Sequence, residues 1–520
     1  MAKIRDYLYE IKRGIIFASF FVLYSCRNIC FFNFYSYICI VKSIFEHSQA
    51  FPTKTAIVAT DCTVDYATLW KLVRGMAKKL QEKGLQKGQR VILEASHTVE
   101  FMVMCYGIHL AGGVHVPVEH AAPAERVADI SKEIDPSLVL TGEHPLDNFG
   151  LQLMDLMQVE AYEPEFPTED MLQEILFTTG TTGKSKGVMI THYGQMNMCQ
   201  SQNAVLDYSI DNMWLIPSPM NHAAGLRKTH MSMVRGSSVL LMNGFTNLKL
   251  FFENIRNYHV TSIYLPPAGV HYILMLASRE LAKYDEQLDF IYSSSSALPG
   301  GDKEKLIKLL PNVRKFDAYG GSEVGAVCYI DYNAVTGDTK CVGKANPGVD
   351  IFIVDENYQP MEATKDNPGI IAIRSNTVTA GYWNEPEMTA NTIRDGVIYM
   401  TDLGYLENGY LYLVGRRDDV INVGGLKVAP TEVEDVALRH PSVNECVCVP
   451  FEDKVFGRVV KMYVCLNEGY TLDTESLIAH LQERLEAYKI PKFMEAIDEI
   501  PHTYNGKIDR KKLIAIANGR

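Results

Sequence analysis

The sequence is short of positive charge, of paired cysteines and of repetition. Its 520 residues carry 50 Lys and Arg against 62 Asp and Glu, a formal net charge of −12. A nucleic-acid partner needs a basic face to replace phosphate counterions, so no nucleic acid is expected. None of the 11 cysteines falls in a Cys-x-x-Cys pair, and no Cys/His group has zinc spacing. Free thiols in a reducing compartment follow, which points to the cytoplasm. There is no internal repeat and no low-complexity linker. With 47% apolar and 22% charged residues, disorder, collagen and coiled coil are excluded for the chain as a whole. At ~100–200 residues per domain the length allows two to four domains, enough to bury a large core without disulfide staples.

The anomaly in what is present is the N-terminus. Residues 14–41 are apolar and aromatic, behind Lys3, Arg5, Lys12 and Arg13. The segment is long enough to span a membrane, at about 20 residues per crossing. However, Arg27 and Asn28 would lie mid-span, at roughly 2.5 kcal/mol or more for the arginine. As a signal peptide it lacks an Ala-x-Ala site, although residues 23–26 faintly resemble a lipoprotein box. A start downstream is the third reading, since ordinary enzyme-like sequence begins at Ser43. No Met stands between Met1 and Met76, so that start would be non-AUG, near Val41. Residues 1–42 are therefore set apart as an apolar leader, either membrane-associated or misassigned.

The body alternates short apolar runs with helical periods. Strands are expected at 90–95, 114–118, 137–140, 238–242 and 261–265. Helices are expected at 99–111, 124–134, 248–259 and 270–283. This is α/β architecture with largely parallel sheets. Around 348–415 the pattern turns to short strands with Asp395-Gly396 and Asn408-Gly409 turns, an antiparallel, β-rich subdomain. After residue 417 a small α+β domain follows. Thr431-x-x-Glu434 reads as a capping box for a helix through Arg439, then strands at 445–449 and 459–466. A helix with Leu477, Ile478, Leu481 and Leu485 on one face comes next. The expected domains are 1–42, 43–417 and 418–520.

Four motifs carry chemistry. The first is the loop Thr178, Thr179, Gly180, Thr181, Thr182, Gly183, Lys184, Ser185, Lys186, Gly187, set between two apolar strand-like runs. Glycines free backbone N–H groups to face an anion, hydroxyls donate, and lysines add charge, a combination suited to a polyphosphate. It is not a P-loop. The residue five before Gly183 is Thr178 rather than glycine, and a strand, not a helix, follows. The second is Asp317, Ala318, Tyr319, Gly320, Gly321, Ser322, Glu323, which offers an aromatic face, a hydroxyl and a carboxylate able to hold Mg2+. In the third, Asp402 sits where a carboxylate can bridge ribose hydroxyls. In the fourth, Lys507 follows the glycine turn Asn505-Gly506.

Together and in this order, the motifs resemble the adenylate-forming superfamily of acyl-CoA synthetases, adenylation domains and luciferases. The likeness covers roughly residues 43–516 and includes GRRDDVINVGG at 415–425. It implies ATP-dependent activation of a carboxylic acid, then thioester formation with CoA: an AMP-forming acid–thiol ligase, with fatty-acid metabolism as a setting. The implied fold is a large N-terminal domain of α/β subdomains with a β-rich subdomain, and a small mobile α+β cap. Thr178 to Lys186 would cradle the β/γ-phosphates. Lys507, Glu323 and His222 form the catalytic set, with Glu323 the Mg2+ ligand. Ser296, Ala297, Asp317, Tyr319, Gly320, Ser322, Asp402 and Arg416 would hold adenine and ribose. Ser295-Ser296-Ala297 stands where the family carries Gly-Gly-Ala. Asp418 would be the hinge of a rotation that swaps Lys507 for Gly424 and Gly425, which line a thiol tunnel.

Asn221, Ala223 and Ala224 are the expected acyl pocket, with Gly225 adding space. Amino-acid-activating relatives usually carry Phe-Asp where this chain has Asn221-His222, so a simple carboxylic acid is preferred. The expected substrates are ATP, the acid, and CoA or a carrier-protein phosphopantetheine. Loading of an acyl carrier protein, amino-acid activation, luciferase-like oxygen chemistry and a non-catalytic binding protein are the other readings. The last predicts loss of Lys507, Glu323 or the loop, and all are present.

Overall fold

The computed structural model describes residues 39–142, 144–160, 165–178, 186–296, 298–333, 340–417, 419–423, 426–454, 457–502 and 508–518. The expected leader lies outside these residues up to position 38. Its last residues belong to the folded body. Cys39, Ile40 and Val41 are buried, and the helix Ile40–Ala50 crosses the expected boundary at 42. Among the described residues no helix is long and apolar enough to cross a membrane.

Two sheets organise the body. The first runs Thr55–Val58, Ser238–Leu241, Met213–Ile216, Ser262–Tyr264, Phe290–Ser294 and Arg314–Gly321 side by side, with all of these pairs parallel. Their continuous Val, Ile and Leu runs reflect burial on both faces. The second pairs Arg90–Glu94 in parallel with Val114–Val118 and with Leu138–Leu140. Leu172–Thr178 then joins Val114–Val118 in parallel, and Lys186–Thr191 closes on it antiparallel. The expected strands and helices of this region all form, with ends shifted by a few residues.

The β-rich region pairs Val349–Val354, Gly369–Ser375, Val397–Glu407 and Tyr410–Arg416 antiparallel. It is continuous with the first sheet through Gly325–Asp331 and Cys341–Ala345. Both Asx-Gly turns behave as expected. Asp395 and Gly396 have φ of 50° and 73°, and Asn408 and Gly409 have 53° and 78°. Two successive left-handed residues are what a tight I′ hairpin needs.

The C-terminal region packs helices Pro430–Ala437, Thr474–Gln482 and Arg510–Ala517 with the strands Val443–Asp453, Gly457–Leu466 and Phe493–Ala496. Leu477 and Leu481 are fully buried, as the helical spacing implies. The expected capping box does not form. Pro430 occupies the first helical turn, so Ala429 is the N-cap. Proline is preorganised for that place and needs no N–H partner there. Thr431 Oγ1 instead donates to the Val414 carbonyl at 3.4 Å, tying the cap to the body. Glu434 is buried and takes two 2.6 Å bonds from the Arg510 guanidinium and one from the Cys448 N–H.

Candidate active site

The loop between Leu172–Thr178 and Lys186–Thr191 is the tip of an antiparallel hairpin, with Thr178 opposite Lys186. The strand–loop–strand setting expected from the sequence is therefore present, and a P-loop is excluded on structure as well. Thr179, Gly180, Thr181, Thr182, Gly183 and Lys184 lie outside the described residues. So do Ala297, Asp418, Gly424, Gly425 and Lys507.

Lys186 leaves the hairpin with its Nζ 5.8 Å from the centre of the Tyr382 ring. Tyr382 lies on Gly381–Tyr382, the short strand paired to Lys186–Thr191. Its hydroxyl donates to Glu323 Oε1 at 2.9 Å. Burial, then the Glu323 charge, pushes the Tyr382 phenol well above its usual range, so it stays a donor. The other carboxylate oxygen faces Gly321. A Cβ there would come within 3.1 Å of Glu323 Oε2. The glycine thus leaves this half-buried carboxylate open on one side.

The turn bearing Glu323 is held tightly. A Cβ on Gly320 would run into the Gly325 carbonyl, so no side chain fits. Arg227, from the helix Ala223–Arg235, is 2% exposed and donates to the Ser322 carbonyl at 2.6 Å and to that of Gly321 at 3.4 Å. Thr379 N–H donates to the Glu323 carbonyl at 2.7 Å. Tyr382 and Arg227 are candidate site residues that sequence spacing missed, because each reaches the turn from a distant segment.

Tyr319 and Asp402 meet directly. The Tyr319 hydroxyl donates to Asp402 Oδ2 at 2.9 Å, and Arg416 Nε stands 3.8 Å from Oδ1. Asp402 and Arg416 are cross-strand partners, so sheet register brings them together. The expected ribose pair and adenine aromatic thus form one connected group. Asp317 is buried and ion-paired to Lys303 at 2.9 Å. Burial pushes its carboxyl up, against the pull of Lys303. Ser295 has φ of 87°, a left-handed conformation that favours glycine, and Ser296 beside it is exposed. Tyr264 accounts for part of the support here, its hydroxyl within 3.1 and 3.3 Å of Ser294 and Ser295 Oγ. Behind that strand, buried Lys228 donates to Tyr292 at 2.8 Å and to Gln202 at 3.1 Å. Burial lowers its ammonium to about 7.

Asn221 is buried and His222 is the N-cap of the helix Ala223–Arg235. Ala223 and Ala224 are partly buried against the core. Gly225 does not enlarge a pocket. A Cβ there would come within 2.5 Å of the Ser218 and Pro219 carbonyls, so the glycine permits a close backbone approach. The chain just after the expected hinge position is anchored to both its neighbours. Asp419 and Val420 N–H groups donate to the Arg416 carbonyl, each at 3.1 Å, and Arg510 Nε lies 3.9 Å from Asp419 Oδ2.

Residues 44–383 match the family described as AMP-binding enzyme, and residues 432–507 match the AMP-binding enzyme C-terminal domain. The chain is 28% identical to a long-chain-fatty-acid–CoA ligase of Bacillus subtilis, over 91% of this chain and 94% of that one. It is 28% identical to tyrocidine synthase 1 of Brevibacillus parabrevis, over 90% of this chain but 44% of that one. The ATP-bound structure of MatB from Rhodopseudomonas palustris superposes with a TM-score of 0.81 at 24% identity, covering 91% of this chain and 99% of that one.

Proposed function

Because the chain belongs to the AMP-binding enzyme family, we propose that it activates a carboxylic acid with ATP and transfers the acyl group to CoA. In the first step a carboxylate oxygen bonds to the α-phosphorus of ATP. The bond from that phosphorus to its bridging oxygen breaks and pyrophosphate leaves. In the second step the thiol of CoA gives up its proton, sulfur bonds to the acyl carbon, and AMP departs. The observation that carries this reading is the run of contacts from Arg416 and Asp402 through Tyr319 on one side, and from Glu323 through Tyr382 to Lys186 on the other. The two groups flank a single stretch, the strand end and turn at residues 319–323. A nucleotide laid there finds ribose acceptors at one end and a carboxylate and lysine at the phosphate end.

Bringing a carboxylate to a polyphosphate sets two anions together, so positive charge must be ready where it builds up. Lys186 and the expected Lys184 serve that need at the hairpin tip, and Lys507 at the α-phosphate. Glu323, open on its Oε2 side, would hold a Mg2+ that shields phosphate charge. Asp317 stands near the adenine with its carboxylate already paired to Lys303. The body at 43–417 and the cap at 418–520 then turn about Asp418 between steps, so that Gly424 and Gly425 replace Lys507. The Arg510–Glu434 pair supports this reading, since it fixes the cap three residues beyond Lys507.

A CoA thiol is favoured over a carrier-protein arm by the relatives matched along nearly their whole length, which include named CoA ligases. A simple acid is favoured over an amino acid because Asn221-His222 offers no carboxylate to an ammonium group. The nine described cysteines form no disulfide, in keeping with a reducing cytoplasmic setting. A panel of aliphatic, aryl and amino acids in a pyrophosphate-release assay, with CoA present and absent, tests the reading. The expected result is release driven by simple acids, with thioester formed once CoA is added. Release driven by amino acids alone would overturn it.

A further inference from the structure

Away from the nucleotide turn, the interior of the second sheet holds an unusual polar cluster. Cys105 and His109 lie one turn apart on the helix Val99–Leu110, and His115 lies on the next strand, Val114–Val118. All three are buried, at 0%, 1% and 0% exposure. Cys105 Sγ is 3.9 Å from His109 Nε2 and 3.5 Å from His115 Nδ1. One donor atom from each of the three lies within 4.8 Å of the others. On the neighbouring strand Glu174 is the register partner of His115, so both side chains leave the sheet on the same face. Glu174 is fully buried, and neither of its carboxylate oxygens has a hydrogen-bond donor. His230 Nε2 stands 3.8 Å from it. The His192 and His230 rings lie 5.8 and 6.1 Å from the His109 ring.

Such a cluster is costly as it stands. A buried carboxylate with no donor and several imidazole nitrogens with no partner forfeit water without replacing it. His109 Nδ1, His115 Nε2 and both nitrogens of His192 lack hydrogen-bond partners. The atoms that face one another, Cys105 Sγ, His109 Nε2 and His115 Nδ1, are spaced to share a metal ion. With Zn–S near 2.3 Å and Zn–N near 2.05 Å, a tetrahedral site places sulfur about 3.6 Å from each nitrogen. The observed separations straddle that edge length. A thiolate ligand, with the Glu174 carboxylate on the same face of the sheet, brings negative charge to the neighbourhood of a divalent ion and offsets the penalty of burying either anion alone. Soft sulfur with two imidazoles selects zinc over magnesium or calcium.

We propose that Cys105, His109 and His115 form a buried zinc site, with Glu174, His192 and His230 packed around it. Sequence spacing does not reveal it because the set is split between a helix and the strand that follows. The site would rivet the helix Val99–Leu110 to the strand Val114–Val118, which pairs with Leu172–Thr178, the strand whose last residue opens the phosphate hairpin. It plays no part in bond making.

Metal analysis of the full-length protein after passage over a chelating resin tests this. The expected reading is about one zinc per chain, falling below roughly a tenth in Cys105→Ser and His109→Ala proteins that keep their far-ultraviolet circular dichroism. Should those variants fail to fold, X-ray absorption at the zinc edge of the unmodified protein decides. One sulfur near 2.3 Å with imidazole nitrogens near 2.0 Å supports the site. A wild-type protein without zinc, zinc retained in folded Cys105→Ser, or an all-oxygen shell would each overturn it. Absence of metal would leave a hydrated polar pocket in its place.

Discussion

Removing one hydroxyl, in Tyr382→Phe, isolates how Glu323 is held. The ring stays, so the Lys186 contact at 5.8 Å is kept, and only the 2.9 Å bond to Glu323 Oε1 is lost. A hydrogen bond to a charged acceptor contributes about 1.5–3 kcal/mol. Tyr382 is 7% exposed but Glu323 is half-buried, so the lower end applies. At about 1.4 kcal/mol per tenfold change, kcat for adenylation should fall roughly 10- to 30-fold. ATP–pyrophosphate exchange measures this. The decisive arm is Glu323→Gln, which removes the charge from the acceptor. If Tyr382 acts by fixing that carboxylate, Tyr382→Phe should cost less than about threefold in the Glu323→Gln background. An equal cost in both backgrounds, or no cost in either, would refute the reasoning.

Three further outcomes are expected. Replacing Gly425 with a bulky residue should spare pyrophosphate exchange and block thioester formation, read by single-turnover transfer from acyl-adenylate to CoA; unimpaired transfer would contradict the tunnel. Ser295→Gly should raise stability by about 1 kcal/mol in denaturant unfolding, because it relieves a left-handed backbone at φ 87°. His47 is buried with its Nε2 3.2 Å from the Val234 carbonyl, and burial lowers its imidazole to about 4. As pH falls from about 6.5 to 4 the unfolded chain binds that proton first, so stability is lost across that window. His47→Gln should flatten this part of the pH–stability curve, and an unchanged curve would exclude it.

Local signals were legible in the chain and distant contacts were not. Alternating apolar runs located the parallel strands, since burial on both faces leaves a continuous signature. The Asx-Gly pairs located both hairpin turns, because few residues accept a left-handed conformation. Thr431 misled because its capping pattern competes with Pro430, which begins the helix one residue earlier. Gly225 misled because a missing side chain reads equally as pocket space or as close backbone approach, and only the Ser218 and Pro219 carbonyls distinguish them. Of the candidate site, Glu323, Tyr319, Asp402 and Arg416 were readable from motif order. Tyr382, Arg227 and the cluster that brings Cys105, His109 and His115 beside Glu174 and His230 were not. Their meaning lies in contacts between segments far apart in sequence, which neither periodicity nor short-range spacing encodes.

In the proposed mechanism one lysine, Lys507, serves one half of a two-step reaction. The most direct test is Lys507→Ala, assayed separately for pyrophosphate exchange and for CoA transfer from a supplied acyl-adenylate. Exchange should be largely abolished while transfer is retained. Exchange at the wild-type rate would contradict the proposed mechanism.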